Sequence, residues 1–391
     1  MNNSYVVIVG GGPAGSYCAK ELAKKEIDVV VLEKDNFCGE KNVCGGVLNS
    51  NAIEKHGLQY ATQGELSKAR IYYENDYLEF DQKRYAFLRS FFDKKISEEA
   101  IKNGAKFLHN HLMVDYSINS KNIKIKVKDL NTGKDTTITS EIIVGADGFA
   151  SRVRNKINSK KFTKNDYGIA VQYQIPYSAF NKIDIDLDIA YFILSKLFKF
   201  GYAWIFPKED RLTVGLACRI KDLTFDIRKA LLNIFKYPIM KKQKFDYKKI
   251  IYESSLIPDR IPGNIIDDRV ILIGDAAGFV KPISGGGIEY AIESAIEAAN
   301  VISKIKNEKI NPDKANLREY VEKVEWIKNK IEKEKKIMQT LEKFDFNRLQ
   351  KIMIKKHLPK TLEFLFTGEK KILLEVFKEL PILSYHYFTN H

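Results

Sequence analysis

The chain has 391 residues and a formal net charge of +14, and 45% of its residues are hydrophobic. No apolar run approaches the ~18–20 residues that a membrane-spanning helix needs, and a strand pattern begins almost at once, which predicts that no signal peptide or transit segment is present. The positive charge indicates either attraction to anionic lipid headgroups or a lysine-rich solvated surface. Nucleic-acid binding is not expected, because no recognised motif for it is present.

The first elements form a strand, a glycine-rich turn, a helix and a second strand within residues 6–33. Gly10, Gly12 and Gly15 give the pattern GxGxxG. In such a unit the first glycine permits the tight turn, the second lets the backbone approach a pyrophosphate, and the third permits close helix–strand packing. Glu33 ends the second strand, where a carboxylate accepts hydrogen bonds from a ribose. This order of features predicts a dinucleotide site; the alternative is an ordinary βαβ unit with a glycine turn.

A glycine-rich loop follows over residues 34–48 and contains two of the four cysteines. The cysteines (Cys18, Cys38, Cys44 and Cys218) are few and unevenly spaced, which favours a reducing, cytoplasmic compartment. Cys38 and Cys44 flank the loop, but a metal site would need two or more further ligands, and no local His or Cys supplies them. A disulfide between these two cysteines is left open.

Hydrophobic periodicity and turn residues predict the remaining elements. A helix is expected at 49–58, strands within 68–80 around a turn at 74–76, a helix from 88 to 103, and strands at 106–115, 121–128, 135–139 and 141–146. Residues 160–262 are aromatic and strand-rich, with strands expected at 167–177, 185–194, 201–206 and 212–219. A strand at 269–274, a helix at 288–305 and a helical cap over 312–391 complete the chain.

This pattern predicts an α/β fold in which a dinucleotide-binding domain carries an inserted antiparallel sheet. The expected boundaries are 1–159 with 263–310 for the discontinuous dinucleotide-binding domain, 160–262 for the substrate-binding sheet and 311–391 for the C-terminal helical region.

Three motifs resemble the FAD fingerprints of group A flavoprotein monooxygenases and their relatives. They are GGGPAG near the N-terminus, GADGFASRVR at 145–154 and IGDAAGFVKPISGGGIEYAIESA at 273–295. The resemblance implies FAD as the cofactor and a Rossmann-like domain of the type found in glutathione reductase and p-hydroxybenzoate hydroxylase.

Further motifs narrow the resemblance to the geranylgeranyl reductases. Residues 42–46 (NVCGG) resemble the Cys-Gly-Gly loop of that family, residues 202–208 (YAWIFPK) resemble its Tyr-x-Trp-x-Phe-Pro motif, and Arg89-x-x-Phe92-Asp93 also fits its pattern. Together the matches span about three quarters of the chain. The FAD motifs are specific for the cofactor, whereas the Cys-Gly-Gly and Tyr-x-Trp-x-Phe-Pro motifs are what point to a prenyl reductase.

The cofactor site implied by this resemblance is built from the glycine motifs, the acids near them and the loops. Gly274 and Asp275 end a strand at the sheet edge where such folds bind ligands, although Asp275 could instead cap a helix. Arg89 is expected to pair with phosphate or ribityl oxygens, or else to be a surface arginine at a helix start. The expected cofactor-binding residues are Gly10, Gly12, Pro13, Ala14, Gly15, Glu33, Lys34, Cys44, Gly45, Arg89, Asp147, Gly148, Gly274, Asp275, Pro282, Gly285, Gly286, Gly287 and Ile288.

The reacting part of the site is expected at the Cys-Gly-Gly loop and the aromatic strand. The candidates for catalysis are Cys44, Gly45, Tyr202 and Trp204, and those for substrate binding are Tyr202, Trp204 and Phe206. Cys44 is either a group near the reacting alkene, which delivers a proton or holds water in place, or a small buried hydrophobe. The three aromatic residues alternate and so share one face of a strand, which forms either the wall of a prenyl pocket or part of the core. Further residues could extend that wall, namely Tyr167, Tyr173, Tyr191 and Phe192.

The resemblance implies an FAD-dependent oxidoreductase that saturates C=C bonds of geranylgeranyl or other prenyl chains in lipid biosynthesis. The alternatives are an FAD-dependent monooxygenase or halogenase, and a non-catalytic flavoprotein associated with a membrane. Since only one dinucleotide fingerprint is visible, the electron donor would be transient NAD(P)H or a ferredoxin-like carrier. Apolar and basic residues alternate over 351–387, which indicates either peripheral contact with the inner face of the membrane or a helical cap on the core.

Overall fold

The structure, a computed structural model, describes residues 3–41, 43–74, 76–157, 162–195, 197–198 and 201–342. The strands are β1 (Asn3–Val9), β2 (Val29–Leu32), β3 (Val47–Asn49), β4 (Gly64–Tyr73), β5 (Asp76–Ala86), β6 (Lys106–Leu108), β7 (His111–Ile118), β8 (Ile123–Asp129), β9 (Asp135–Gly145), β10 (Tyr167–Pro176), β11 (Ile189–Leu194), β12 (Tyr202–Pro207), β13 (Arg211–Arg219), β14 (Ile251–Pro258), β15 (Ile266–Asp267) and β16 (Val270–Leu272). The helices are α1 (Pro13–Lys24), α2 (Ser50–Glu54), α3 (Arg89–Lys102), α4 (Ile227–Ile234), α5 (Pro238–Lys241), α6 (Ile288–Asn307), α7 (Arg318–Lys323) and α8 (Glu325–Glu342).

The first sheet has the order β15-β16-β9-β1-β2-β6, and β7 and β8 extend it from β9. Strands β16, β9, β1, β2 and β6 run parallel. The apolar residues of β1 and β2 are buried, because helix α1 packs on these strands and is itself packed against α3 and α6. Uninterrupted apolar runs of this kind are what a parallel strand covered on both faces requires. The carboxyl ends of β1, β2 and β9 therefore meet at one edge, where a ligand can bind.

The second sheet has the order β14-β10-β13-β12-β11-β4-β5-β3. The strands expected within 160–262 are present, but the sheet is larger than predicted because it also takes β3, β4 and β5 from residues 47–86. The two parts join through β4 and β11, which pair in parallel with Ile71 opposite Phe192. Such long-range pairing is not visible in a local pattern, and the domain boundaries given above remain a prediction.

Alternation along β12 divides the second sheet into two apolar faces. Ala203 and Ile205 lie in a cluster with helix α4, whereas Trp204 and Phe206 lie in a cluster with strands β4 and β5 on the opposite face. The shared orientation expected for the aromatic residues of this strand is therefore present. This second face is the one directed towards the edge of the first sheet.

The predicted strands differ from the structure at two places. The strand expected at 106–115 is divided into β6 and β7, because Asn110 adopts a left-handed conformation with φ of +58° and redirects the chain from pairing with β2 to pairing with β8. The strands expected at 135–139 and 141–146 are one strand, β9, which pairs with β8 and with β1.

The described part of the C-terminal region forms α7 and α8, which pack on the first sheet. The Tyr320 hydroxyl donates a hydrogen bond to the carbonyl of Leu272 over 2.8 Å, and Ile327 and Ile331 are buried. The amphipathic stretch predicted at 351–387 lies outside the described residues. Within the ranges that are described, no helix is long and apolar enough to cross a bilayer.

Candidate active site

A cavity of about 790 Å³ lies between the carboxyl ends of the parallel strands and the aromatic face of the second sheet. Most of the predicted site residues line it, and volumes of 300–1,000 Å³ are usual for cofactor and ligand sites. The residues that it brings together are Gly10, Gly12, Pro13, Ala14, Glu33, Lys34, Cys44, Gly45, Arg89, Asp147, Gly148, Tyr202, Trp204, Phe206, Asp275, Gly285, Gly286, Gly287 and Ile288.

The glycine turn at the start of α1 forms one end of the cavity. Gly10 has φ of +99°, and a Cβ atom there would lie 2.5 Å from the carbonyl oxygen of Ala146. A Cβ atom on Gly15 would lie 1.9 Å from the carbonyl oxygen of Gly10, so Gly15 serves helix–strand packing and does not line the cavity. No side chain caps α1 at Gly12. The N–H groups of the first helical turn therefore remain available to an anion.

Glu33 stands beside this turn and organises it. Its carboxylate accepts hydrogen bonds from the backbone N–H of Gly11, at 2.7 Å, and of Asp35, at 2.9 Å. Burial raises the pKa of Glu33, and the two backbone hydrogen bonds oppose that rise. Each oxygen keeps a further lone pair, so the carboxylate can also accept a bond from a ribose hydroxyl.

Replacing Glu33 by Gln is expected to weaken FAD binding by about 10- to 100-fold, the usual worth of a charge-assisted hydrogen bond. Gln has one acceptor oxygen, so it can satisfy only one of the two backbone amides. Fluorescence titration of the flavin-free protein with FAD measures the effect. Glu21→Gln is the matched control, because Glu21 lies on α1 beside Lys20 and Lys24. Equal affinities in the two variants would contradict the role of Glu33.

The second FAD motif, residues 145–154, forms a loop at the end of β9 that is held by hydrogen bonds within the motif. The Asp147 carboxylate accepts hydrogen bonds from the Ser151 hydroxyl, at 2.5 Å, and from the backbone N–H of Arg152, at 2.7 Å. Arg154 is buried and donates to the carbonyls of Phe149 and Ala276. Asp147 lines the cavity but uses its oxygens within its own loop, and Arg154 links this loop to the third motif.

The third FAD motif, residues 273–295, supplies a second helix N-terminus at the cavity. Helix α6 begins after Gly287 without a side-chain cap, and a Cβ atom on Gly287 would lie 2.8 Å from Oδ1 of Asp275. Burial raises the pKa of Asp275, and the positive charges of Arg89 and Arg154 oppose this rise. Two glycine turns, each opening a helix, therefore face the same cavity.

Arg89 forms an ion pair with Asp93, which lies one helical turn later in α3. Its Nε and Nη2 donate to the two carboxylate oxygens of Asp93 over 2.6–3.0 Å, and the side chain of Asp93 is fully buried. A Cβ atom on Gly12 would lie 3.5 Å from Nη2 of Arg89. The guanidinium group is therefore held against the glycine turn, as the expected contact with cofactor phosphate or ribityl oxygens requires.

The Cys-Gly-Gly loop packs directly on the aromatic strand. A Cβ atom on Gly45 would lie 3.0 Å from the Phe206 ring and 3.6 Å from the Trp204 ring. Cys44 is half-buried, and its sulfur accepts a hydrogen bond from the backbone N–H of Gly46 at 3.3 Å. The thiol thus shares the cavity with the aromatic wall.

The aromatic wall consists of three alternating residues and one neighbour. The Trp204 and Phe206 rings stack with centroids 6.1 Å apart, and Phe192 packs edge-on against Phe206 at 5.1 Å. The Tyr202 hydroxyl donates to the carbonyl of Ser284 over 2.9 Å, which ties this strand to the third motif. Nε1 of Trp204 is buried and has no hydrogen-bond partner among the described residues, so the wall offers an unused donor.

Several predicted residues lie elsewhere. Gly274 packs against Ala14, and Pro282 lines a small adjoining pocket of about 40 Å³. Of the residues expected to extend the wall, Tyr191 belongs to the cluster on the opposite face and Tyr173 packs against it, while Tyr167 contacts Phe149. All four cysteines are free, so the disulfide left open between Cys38 and Cys44 is not formed.

Other residues at the site were not singled out from the sequence. Lys41, His111 and Arg152 line the cavity. The sequence around each of them contains no pattern that indicates a place in a binding site. Lys208 is buried behind the Cys-Gly-Gly loop, although it follows the aromatic motif at a hairpin turn, where a lysine is normally solvated.

These features fit FAD. An elongated dinucleotide needs a turn without side chains at a helix N-terminus, an acid beside it for the ribose, and an apolar end for the ring system. The cavity offers the turn at Gly10 and Gly12, the acid Glu33, a second glycine turn at 285–287, and the unused Trp204 donor at its aromatic end.

Comparison with known proteins agrees with this fit. Residues 3–198, about half of the chain, match the family described as the FAD binding domain. Digeranylgeranylglycerophospholipid reductase 2 of Methanosphaera stadtmanae is 27% identical over 343 residues, which cover 82% of this chain and 83% of that protein.

Solved structures show the same fold. A geranylgeranyl bacteriochlorophyll reductase-like protein of Thermoplasma acidophilum superposes with a TM-score of 0.82 at 22% identity, covering 98% of this chain and all of the other. A flavin-dependent brominase superposes with a TM-score of 0.73 at 20% identity, covering 93% and 92% of the two chains. The predicted fold class, FAD as cofactor and the resemblance to geranylgeranyl reductases are confirmed. The chain belongs to the FAD binding domain family.

Proposed function

We propose that this protein is an FAD-dependent oxidoreductase that saturates C=C bonds in the geranylgeranyl or other prenyl chains of a lipid. The observation that carries the proposal is the contact between Gly45 and the Trp204 and Phe206 rings, which places a thiol and an aromatic wall in the cavity that also contains the dinucleotide turn. The name of the Methanosphaera relative supports the same substrate class.

The residues that would hold FAD are those of the two glycine turns, Glu33, Arg89 and Asp275. When bound, FAD supplies the hydride from N5 of its reduced ring and is itself oxidised. The protein must therefore orient an apolar chain beside the ring, keep water away and provide a proton.

The wall formed by Trp204 and Phe206 meets the first two requirements. Both side chains are 4% exposed, and ring faces suit a polyisoprenoid that offers almost no hydrogen-bonding groups. An isolated alkene has no carbonyl group to hold negative charge, so positive charge develops on its tertiary carbon during reduction. The negative faces of aromatic rings stabilise such a charge.

Cys44 is the proposed proton donor. Its S–H bond breaks as a C–H bond forms on the second alkene carbon, and the sulfur is left as a thiolate. The backbone N–H of Gly46, which already donates to this sulfur, can hold the thiolate in place.

The test is anaerobic reoxidation. The purified protein is reduced with dithionite and offered archaeal-type diether phospholipids, geranylgeranyl diphosphate or a prenyl quinone. We expect at least one lipid to reoxidise the flavin and to gain two hydrogen atoms per reduced bond, measured by absorbance and product mass. Lipids with already saturated chains are the control and should leave the flavin reduced.

The flavin-dependent brominase has a similar fold, so a halogenase or hydroxylase is the second candidate. Tyr202 and Phe206 depart from the Trp-x-Trp-x-Ile-Pro motif of halogenases at its first tryptophan and its isoleucine. Oxygen consumption that depends on NADPH and substrate would favour this candidate, and anaerobic alkene reduction would exclude it. Reduced flavin that no prenyl lipid reoxidises would instead favour a non-catalytic flavoprotein.

The source of electrons for the flavin and the contact with a membrane are part of the same proposal. One dinucleotide fingerprint is visible, so the flavin would be reduced by transiently bound NAD(P)H or by a ferredoxin-like carrier. A lipid substrate and a net charge of +14 favour peripheral contact with an anionic membrane surface on its cytoplasmic side.

A further inference from the structure

Lys208 is a buried lysine that lies behind the loop carrying Cys44, the proposed proton donor. It follows strand β12 directly, and its backbone N–H donates to the carbonyl of Arg211 in the hairpin. Its side chain is nevertheless only 6% exposed, because it turns inwards, with the ammonium group 5.6 Å from the centre of the Phe206 ring. Lysine is almost never buried to this degree unless it is paired with an acid.

No carboxylate within the described ranges forms an ion pair with Lys208. Its Nζ donates to the carbonyl of Gly46. Burial lowers the pKa of Lys208 to about 7, and the negative charge of a Cys44 thiolate opposes the fall. A cation buried without an acid is costly, so a packing role alone does not account for it.

Gly46 connects this ammonium group to the thiol. Its N–H donates to the sulfur of Cys44 at 3.3 Å, while its carbonyl accepts from Lys208. Gly46 has φ of +62°, and a Cβ atom there would lie 2.1 Å from the carbonyl oxygen of Phe87 and 3.2 Å from Nζ of Lys208. Only a glycine allows the loop to turn with both groups against it.

Among the described residues, the charge of a Cys44 thiolate also bears on the pKa of two other groups, Arg89 and Tyr202. Arg89 is paired with Asp93. Burial raises the pKa of Tyr202 to about 12, and its electrostatic partners are Cys44, which adds to the rise, and Arg84, which opposes it. Both Arg89 and Tyr202 keep their protons at neutral pH, whereas burial brings the pKa of Lys208 close to that pH.

We propose that Lys208 is a positioning residue that acts through Cys44, holding the thiolate formed by proton donation and returning a proton to it. This rests on the proposed function. In the step, the ammonium group loses a proton and the sulfur of Cys44 gains one, so an N–H bond breaks and the S–H bond re-forms. The neutral amine then takes a proton from water, which leaves as hydroxide. No electrons move, so the step needs no oxidant or reductant beyond those of the reduction itself.

The first experiment follows alkylation of Cys44 by iodoacetamide in FAD-loaded protein without lipid, with Cys44 identified by peptide mass. Loss of the ammonium charge in Lys208→Met is expected to slow alkylation at pH 6.5 by roughly tenfold, the usual effect of one nearby charge at a partly buried site. Lys208→Arg, which retains the charge, should restore the rate. Lys20→Met is the matched control, because Lys20 is also buried but lies beside Glu21 on α1.

The second experiment measures alkene reduction against pH over repeated turnovers. A group that must be protonated to act becomes inactive as pH rises through its pKa, so the wild-type rate should fall about tenfold between pH 6 and pH 8. Lys208→Met should be slow and flat over this range. Lys208→Arg should also be slow, because a guanidinium group does not release its proton. FAD content and thermal unfolding establish that each variant is folded.

Each outcome bears on a distinct claim. An alkylation rate and pH profile unchanged in Lys208→Met, in protein that reduces prenyl lipids, would overturn the assignment of Lys208 alone. Full turnover by Lys208→Arg would overturn the return of the proton. Wild-type protein that no prenyl lipid reoxidises would overturn the proposed function and the role of Lys208 with it.

Discussion

Replacing Arg89 by Met is expected to lower the free energy of unfolding by about 3–5 kcal/mol, the usual cost of removing one partner from a buried ion pair. Asp93 is fully buried, and Arg89 donates all the side-chain hydrogen bonds that its carboxylate receives within the described residues. Urea unfolding at pH 7 measures the loss. Arg152→Met, a change at an exposed arginine on the same cavity, should alter stability by no more than about 0.5 kcal/mol.

The loss should depend on pH in a defined direction. Burial raises the pKa of Asp93, and Arg89 opposes that rise. Without Arg89 the pKa of Asp93 in the folded protein rises further. The folded variant therefore keeps a proton on Asp93 that the unfolded chain, in which Asp93 has its ordinary pKa, releases. The stability of Arg89→Met is then greatest below the pKa that Asp93 has in the unfolded chain, and it falls as pH increases through the pKa that Asp93 has in the folded protein. The deficit relative to wild type should therefore be smaller at pH 4–5 than at pH 7.

Asp93→Asn in the Arg89→Met background separates charge from packing. The double variant lacks the uncompensated buried charge, so about 1–3 kcal/mol of the deficit should remain, the cost of an unsatisfied polar group. If Arg89→Met is as stable as wild type at pH 7, or if the double variant regains nothing, the pair does not hold the start of α3. FAD titration of the single variant then tests the predicted contact between Arg89 and the cofactor.

The pair also illustrates what the sequence reveals. The spacing of Arg89 and Asp93 places them one turn apart on a helix, and the motif contains both residues, yet nothing in the sequence indicates that Asp93 anchors the arginine. The first βαβ unit and the alternation of Tyr202, Trp204 and Phe206 are local patterns, and both are present in the structure.

What could not be predicted depends on contacts between distant segments. Strand β4 joins the second sheet beside β11, more than a hundred residues away, and nothing in either strand specifies its partner. Lys208 follows strand β12 at a hairpin turn, where a lysine is normally solvated, but its side chain turns inwards to the carbonyl of Gly46, from a loop far away in the chain. A charged residue after an apolar strand gives no sign of such a partner.

Replacing Cys44 by Ala is expected to slow alkene reduction by about 10²- to 10³-fold while leaving FAD bound, since a positioned proton donor contributes about 10²–10⁴-fold. Cys44→Ser should also be slow, because a hydroxyl is a far weaker acid than a thiol, although it can still accept the Gly46 N–H bond. The measurement is single-turnover reoxidation of reduced flavin by a prenyl lipid under anaerobic conditions, with FAD content determined from absorbance. Cys18→Ala is the control, because Cys18 is fully buried in α1 and does not line the cavity.

The pair of variants distinguishes proton donation from packing. If Cys44 only fills space, Ser and Ala should both turn over at the wild-type rate, since a half-buried side chain at a cavity edge leaves little void when it is shortened. If it gives up a proton, both should be slow, and the solvent deuterium isotope effect on reoxidation should be larger in the wild type than in the variants, where water must supply the proton by another route. Slow reoxidation with FAD lost from the variants would indicate instead that Cys44 holds the loop on the cofactor.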